Sequence, residues 1–486
     1  MVISSNAKRI NWTYTTAVFI IFGALVVYLY YSAAVLVLRI ILALLALVVS
    51  GEILVRVNGF SRIFAGAYMA RSRLGLNVMD NLARRHSRFF NALSDWGLVF
   101  GFGLLSLIMF KKDMNKKKVI LGIMSILLIL FFVLPFSILP FSLISIPQVT
   151  TKIYGSASSV PSAGADMIGF VLYASGILGG FALYAIVSIA YNAFSILYAL
   201  FIALVTSFGP SPNYGPISNS IPGVAPIIPG ITIPFFAGVL SLVLLLTVHE
   251  FSHGVLARIS KIKLKSTGVL MLGIIPIGAF VEPDEKKINR LGKKIQNRIS
   301  AAGVASNMLL SIAMFIPMLI LFYFVLPHFS QSYVFVEYTL MNHSAYNVIA
   351  PGSIILSWNG HNVSTLSNFS YAAKNDLPYS SIHVVTNKGS YVLAANSQGK
   401  IGVEIAQSSR LSGGLLGGIS YFLYTFFGLS FLLNFFVAII NLLPIPSLDG
   451  WRIFNSSIKS KKIVFAVSAF VVFIIVMNAV PWLWSL

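Results

Sequence analysis

His249, Glu250 and His253 lie within five residues of one another inside the apolar run 233–257, which contains PFFAGVLSLVLLLTVHEFSHGVLA. Ionisable groups are costly in such a run and usually functional there. A helix sets residues i and i+4 on one face, about one turn apart. His249 and His253 can therefore offer two imidazole nitrogens to one tetrahedral zinc. Glu250, about 100° round the helix, is poorly placed as a ligand but can act as general base on a water at the metal, the H-E-x-x-H arrangement. The bland alternative is a pair of histidines that merely hydrogen-bond to neighbours, and it leaves three ionisable groups in an apolar span without a compensating partner.

Zinc with an open fourth position needs one more protein donor. His328, His343, His361 and His383 all fall in one polar block, and His86 falls in a basic segment. Glu282, Asp284 and Glu285 sit beside Lys286 and Lys287, as a solvated charge cluster would. Asp449 differs, because it follows a hydrophobic span in NLLPIPSLDG (441–450), where Pro444 and Pro446 stop the helix at membrane depth. Broken backbone there must be buried in protein or line a wet cavity. Asp449 is thus the best third ligand, against the alternative of an Asp that caps a helix. Asn441 is a candidate second donor to a substrate backbone or oxyanion, with Asn434 on the same helical face. Ordinary interhelical hydrogen bonding is the competing account of both.

The elements that must position these residues are membrane helices. Of 486 residues, 57% are hydrophobic and 10% charged, with a mean hydropathy of +0.87. That composition excludes soluble, disordered and fibrous classes. The net charge, 34 − 13 = +21, fits cytoplasmic loops rich in Lys and Arg rather than a nucleic-acid partner. With no cysteine, any metal must be held by nitrogen and oxygen.

Runs long enough to span a bilayer fall at 14–32, 33–50, 119–146, 167–207 (long enough for two), 233–257, 298–327, 414–444 and 463–484, with 95–110 a weaker candidate. About eight to ten spans are expected, and no cleavable signal peptide. The stretches 111–118 and 459–462 should face the cytoplasm, and 148–166, 208–232 and 328–412 the outside. The run 95–110 reads as a re-entrant or in-plane helix after an Arg-rich amphipathic stretch, 61–94, within a basic segment 53–94. Segment 208–232 has a Pro every few residues and reads as an extended linker or lid, not a helix. Segment 268–280, rich in Ile, Leu and Gly, reads as a membrane-embedded β-like loop that offers an edge to an extended peptide. Block 328–412 reads as short strands, such as 381–386 and 391–394, with Asn-Gly, Lys-Gly and Gln-Gly turns.

HEFSHG (249–254) with NLLPIPSLDG (441–450), and between them PIGAFVEPDE (276–285) and AAGVASN (301–307), resembles the site-2 protease family of intramembrane zinc metalloproteases. The resemblance covers about 230–456, and it departs from the family's usual AAGPxxN at Val304. Spans 1–207 have no counterpart in it. It implies zinc on His249, His253 and Asp449, with Glu250 as the catalytic glutamate. SAYNVIAPGSIILSWNGHNVSTLSNF (344–369) resembles the PDZ pattern, and family members commonly carry such an insert between the two motif halves.

The expected protein is a polytopic α-helical membrane protein with a metalloprotease core split into 233–327 and 413–486. A small extracytoplasmic PDZ-like domain of mixed α and β structure (328–412) is inserted between the halves. Its expected activity is zinc-dependent cleavage of transmembrane segments of single-span, membrane-anchored proteins, after an upstream protease has shortened the outer part. The zinc site is expected within a bilayer, that of the cell, toward the cytoplasmic face. The competing reading is a non-proteolytic transporter or scaffold with a structural metal.

Overall fold

The computed structural model describes residues 10–32, 36–110, 116–130, 162–220, 222–223, 227–374 and 376–484. Contacts divide the chain into two units, 1–315 with 428–486, and 316–427. Among the described residues, seven helices are long and apolar enough to cross a membrane. These are α1 (Trp12–Tyr31), α2 (Leu36–Asn58), α6 (Ser162–Ser207), α7 (Phe235–Ile259), α8 (Lys293–Ile320), α10 (Gly414–Asn441) and α12 (Lys461–Trp484). The chain is a multi-pass helical membrane protein. The expected span 119–146 is described only to residue 130, through α5 (Lys116–Leu128). Residues 111–115 and 148–161 also lie outside the described residues.

Run 167–207 forms a single stretch of helix with a break at Gly180 (φ 63°, ψ −164°). The break receives the end of α4 (Ser87–Phe102). A Cβ on Gly103 would lie 2.5 Å from the Gly180 nitrogen, and Leu104 N–H donates to the Ile177 carbonyl at 3.0 Å. Only glycine allows two backbones so close. Helix α4 is sequestered rather than spanning: every residue from Gly97 to Phe102 is buried. Its Leu98, Phe100 and Phe102 share one core with Ala301, Val304 and Met308 of α8, Phe435 and Ala438 of α10, and Leu442 just past the end of α10. Val304, the departure from the resembled motif, is fully buried there.

The stretch 61–94 is only partly an amphipathic helix. Residues Ser61–Phe64 (β1) and Ala67–Ser72 (β2) form a hairpin, and the amphipathic helix is α3 (Leu76–Arg85). The hairpin has a long-range cause. Strand β2 pairs antiparallel with β3 (Leu264–Leu272), in register from Ala67↔Leu272 to Ser72↔Thr267. Strand β4 (Ile275–Pro283) completes the order β1-β2-β3-β4, so β4 is a terminal strand. Segment 268–280 is therefore a β-hairpin, reversing at Gly273 (φ 58°). Among its described residues, segment 208–232 has one helical turn, Gly215–Ser218, with Pro near its start, where the missing N–H costs nothing.

The second unit has its own core. Strands β5 (Ser330–Thr339), β6 (Ile354–Trp358), β8 (Ser381–Thr386), β9 (Gly389–Ala394) and β10 (Val403–Leu411) lie in the order β10-β5-β6-β8-β9, and β7 (His361–Asn362) pairs with β6. Helix α9 (Leu366–Ala373) begins at Thr365, whose hydroxyl accepts from Asn368 N–H. Asn359 and Gly360 both take positive φ, 49° and 79°, as a tight hairpin turn demands. Trp358 and Asn359 each donate to Asp376 at 2.8 Å. Burial pushes the Asp376 carboxyl above its ordinary pKa despite those two donors.

Candidate metal centre

Helix α7 presents His249 and His253 on one face, and α11 (Asp449–Ser457) begins with Asp449 opposite them. A tight turn brings Asp449 in. Ser447 takes φ 81°, and a Cβ on Gly450 would lie 2.1 Å from the Leu442 carbonyl oxygen. The glycine of the LDG sequence thus lets α11 start directly against the end of α10. Asp449 does not cap the helix through its side chain, since Leu448 occupies the cap position.

Three donor atoms converge. Asp449 Oδ2 lies 3.3 Å from His249 Nε2 and 3.2 Å from His253 Nε2, and the two Nε2 atoms are 3.2 Å apart. Ligands about 2.0–2.1 Å from a tetrahedral zinc sit roughly 3.3 Å from one another. The three edges therefore match one face of a zinc tetrahedron. Asp449 Oδ2 is buried and accepts no hydrogen bond. A buried carboxylate oxygen left so is expensive unless a cation completes it. Among the described residues this is the one cluster of three His, Asp or Glu able to hold a metal.

The outer nitrogens agree with that role. His253 Nδ1 lies 2.7 Å from the Ile299 carbonyl. Its proton must therefore sit on Nδ1, which leaves Nε2 as a lone pair. His249 Nδ1 lies 3.1 Å from the Asn307 side-chain amide, whose Oδ1 is buried without a partner. A half-turn of that amide presents the oxygen to Nδ1–H and gives His249 the same tautomer. The α8 backbone closes the pocket floor. A Cβ on Gly303 would lie 2.5 Å from the Nε2 atoms of both histidines.

Glu250 is not a member of the donor cluster. Its Oε2 accepts from the Val281 N–H of edge strand β4 at 3.3 Å. The competing acids are engaged elsewhere. Asp284 caps the turn Glu285–Ile288, Glu282 accepts from Ser266 at 2.8 Å, and Glu285 pairs with Arg452 at 3.2 Å. Asn441 donates back to the Val437 carbonyl of its own helix at 3.1 Å. Asn434, fully buried, does the same to Ser430. His328, His343, His361 and His383 belong to the second unit, and His86 is exposed at the α3–α4 junction. Sequence reasoning assigned no role to Gly303 or Asn307, although both lie in the quoted AAGVASN.

The profile of peptidase family M50 matches residues 237–480, half of the chain. The chain belongs to peptidase family M50. An uncharacterized protein of Methanocaldococcus jannaschii is 29% identical over 234 residues, which cover 47% of this chain and 58% of that protein. The chain thus spans little more than half of that relative's length. Membership makes metal-dependent peptide hydrolysis the coarse expectation for this M50 protein, and the His-His-Asp cluster is compatible with it.

One expected result separates the candidate third ligands. Asp449→Ala should reduce zinc content from about one per chain to near zero, since it removes one of three donors. Asp284→Ala should leave it unchanged, because that carboxylate caps a helical turn. Elemental analysis of the purified proteins decides, and metal lost with Asp284 but kept without Asp449 would move the third ligand to the loop.

Proposed function

We propose that this M50 protein is a zinc-dependent intramembrane endopeptidase that cuts the transmembrane segment of single-span, membrane-anchored proteins. The convergence of three unshared donor atoms at tetrahedral spacing beside Glu250 carries the reading. His249, His253 and Asp449 would hold the zinc. When bound, zinc supplies Lewis acidity, making a water deprotonatable near neutral pH and polarising a peptide carbonyl. Glu250 would take a proton from the attacking water and pass it to the leaving amine. Asn441 contributes a hydrogen bond to the substrate backbone if its amide leaves Val437.

A helical substrate shields its peptide bonds and must unwind before attack, and the extended chain then needs a partner edge. Strand β4 supplies one beside the base. Val281 N–H, which donates to Glu250, is the edge donor that a substrate carbonyl would take over, and pairing there would release the carboxylate for proton transfer. His249 precedes Arg258 by nine residues, about 13 Å of helix. By the positive-inside rule the site then lies in the cell membrane toward the cytoplasmic face, and residues 328–412 lie outside.

Incubation of the purified protein with single-span substrates, with and without chelator, tests the activity. Cleavage that stops with chelator and returns with zinc is expected. A zinc-loaded protein that cuts none of them would favour a non-proteolytic transporter or scaffold with a structural metal.

The second unit we read as a PDZ-like filter that hinders substrates with bulky outer parts until another protease trims them. The strand–Asn-Gly turn–helix order at 354–373 supports that likeness. Gln331 pairs with Arg410 and Ser332 with Ser409, so a short Gly/Ser bridge can replace 332–408. The deleted protein should keep its zinc, still cut a trimmed substrate, and cut an untrimmed one faster than the full chain does. Retained zinc with no cleavage of the trimmed substrate would make the unit part of the catalytic machinery.

A further inference from the structure

The N-terminal helices precede the region matched by the family, yet one of them reaches the support of a metal ligand. Asp95 of α4 has a side chain only 4% exposed. Arg298 grips it with two parallel bonds, Nε to Oδ1 and Nη2 to Oδ2, both 2.7 Å. Lys118 also donates to Oδ2, and Arg298 Nη1 reaches Asn91 Oδ1 at 3.4 Å. The next residue after Arg298 is Ile299, whose carbonyl receives His253 Nδ1–H.

A second contact seats the same part of α8. A Cβ on Gly97 would lie 2.7 Å from Ala305 Cβ and 3.3 Å from the Ala301 carbonyl, so α4 and α8 touch almost backbone to backbone. Gly303 and Asn307, which face the two imidazoles, lie on this stretch of α8. A bidentate Arg–carboxylate pair is directional. Buried ion pairs contribute little net stability and are best known for setting register. Register matters here, because the acceptor of a ligating histidine's second nitrogen sets both its tautomer and its ring angle.

We propose that Asp95 is a positioning residue of the metal centre. Acting through Arg298, it holds the first turns of α8 so that the Ile299 carbonyl orients His253 for zinc. The N-terminal block is then part of the M50 site and not only a membrane anchor. This rests on the zinc reading above.

Asp95→Asn keeps the side-chain shape but replaces the second carboxylate acceptor with a donor. Loss of an outer partner of a metal ligand typically weakens metal binding by about 10–100-fold. Zinc-loaded Asp95→Asn should release its metal to a chelator at least about 10-fold faster than wild type, and its cobalt(II) form should show a shifted visible spectrum. Asp95→Glu, which can still accept both bonds, should release zinc within a few-fold of wild type. Glu52→Gln, which breaks the Arg62–Glu52 pair (3.0 Å) in the same N-terminal block, should not change release, and this separates positioning from general loosening. Arg298→Lys, which keeps the charge and loses the fork, should behave like Asp95→Asn and serves if that variant does not fold.

Release at the wild-type rate from a folded Asp95→Asn overturns the inference while leaving the zinc reading intact. Failure of both variants to fold makes the pair a folding element and also overturns it. A wild-type protein that binds no zinc overturns the zinc reading itself, and the positioning role with it.

Discussion

Glu250→Gln protein should keep about one zinc per chain and lose cleavage by roughly 10²–10⁴-fold, the range that a positioned general base contributes. The donor atoms belong to His249, His253 and Asp449, and the Glu250 carboxylate instead meets β4 at Val281. The amide of Gln can still accept from that N–H, so the local fold is preserved. What it cannot do is take a proton. Elemental analysis beside a cleavage assay checks both halves of the expectation. Metal and activity lost together would make Glu250 a ligand and require a different base.

Gly303→Ala is expected to be as damaging from the opposite direction. Its Cβ would sit 2.5 Å from the Nε2 atoms of both histidines, closer than carbon and nitrogen approach without a bond. One or both imidazoles must swing away, which dismantles the three-atom face. Metal affinity should fall by more than about 100-fold, beyond the usual cost of losing an outer-shell partner. The helix itself should not suffer, since Ala is better than Gly in a helix interior by about 0.8–1.0 kcal/mol. Retained helical circular dichroism with lost zinc is therefore the expected pair of results. A variant that binds zinc normally would show that the imidazoles stand farther from α8 than this structure has them.

The two variants differ in how visible their positions are from sequence. Glu250 stands out because an acid in an apolar span is rare and lies next to two histidines at helical spacing. Gly303 looks like any small residue in a membrane helix, where glycine commonly serves close packing. Its neighbours are the ligands of another helix, and no local pattern reports that. Asn307 is similar: its partner, His249, is 58 residues away. The strands β8 and β9 were legible in advance because alternation and a Lys-Gly turn are local signals. Strand β2 was not, because the partner that seats it in the sheet, β3, begins at Leu264, some two hundred positions later, and β1 follows as the other arm of its hairpin.

The sequence by itself determined what depends on short-range geometry and on composition. Apolar length placed the helices, because a bilayer must satisfy every backbone group internally. The spacing of His249 and His253 put two nitrogens on one face, because an α-helix repeats every 3.6 residues. Pro444 and Pro446 ended a helix just before Asp449, because proline cannot continue one. Tertiary structure decided which carboxylate meets the histidines, what lies behind them and what holds that support still. The approach of α11 to α7, the bare α8 backbone at Gly303 and the Asp95–Arg298 grip, which spans 203 positions, are contacts between distant segments. Their geometry comes from how helices pack, through glycine approaches and one buried ion pair, and no window of sequence contains both sides of such a contact.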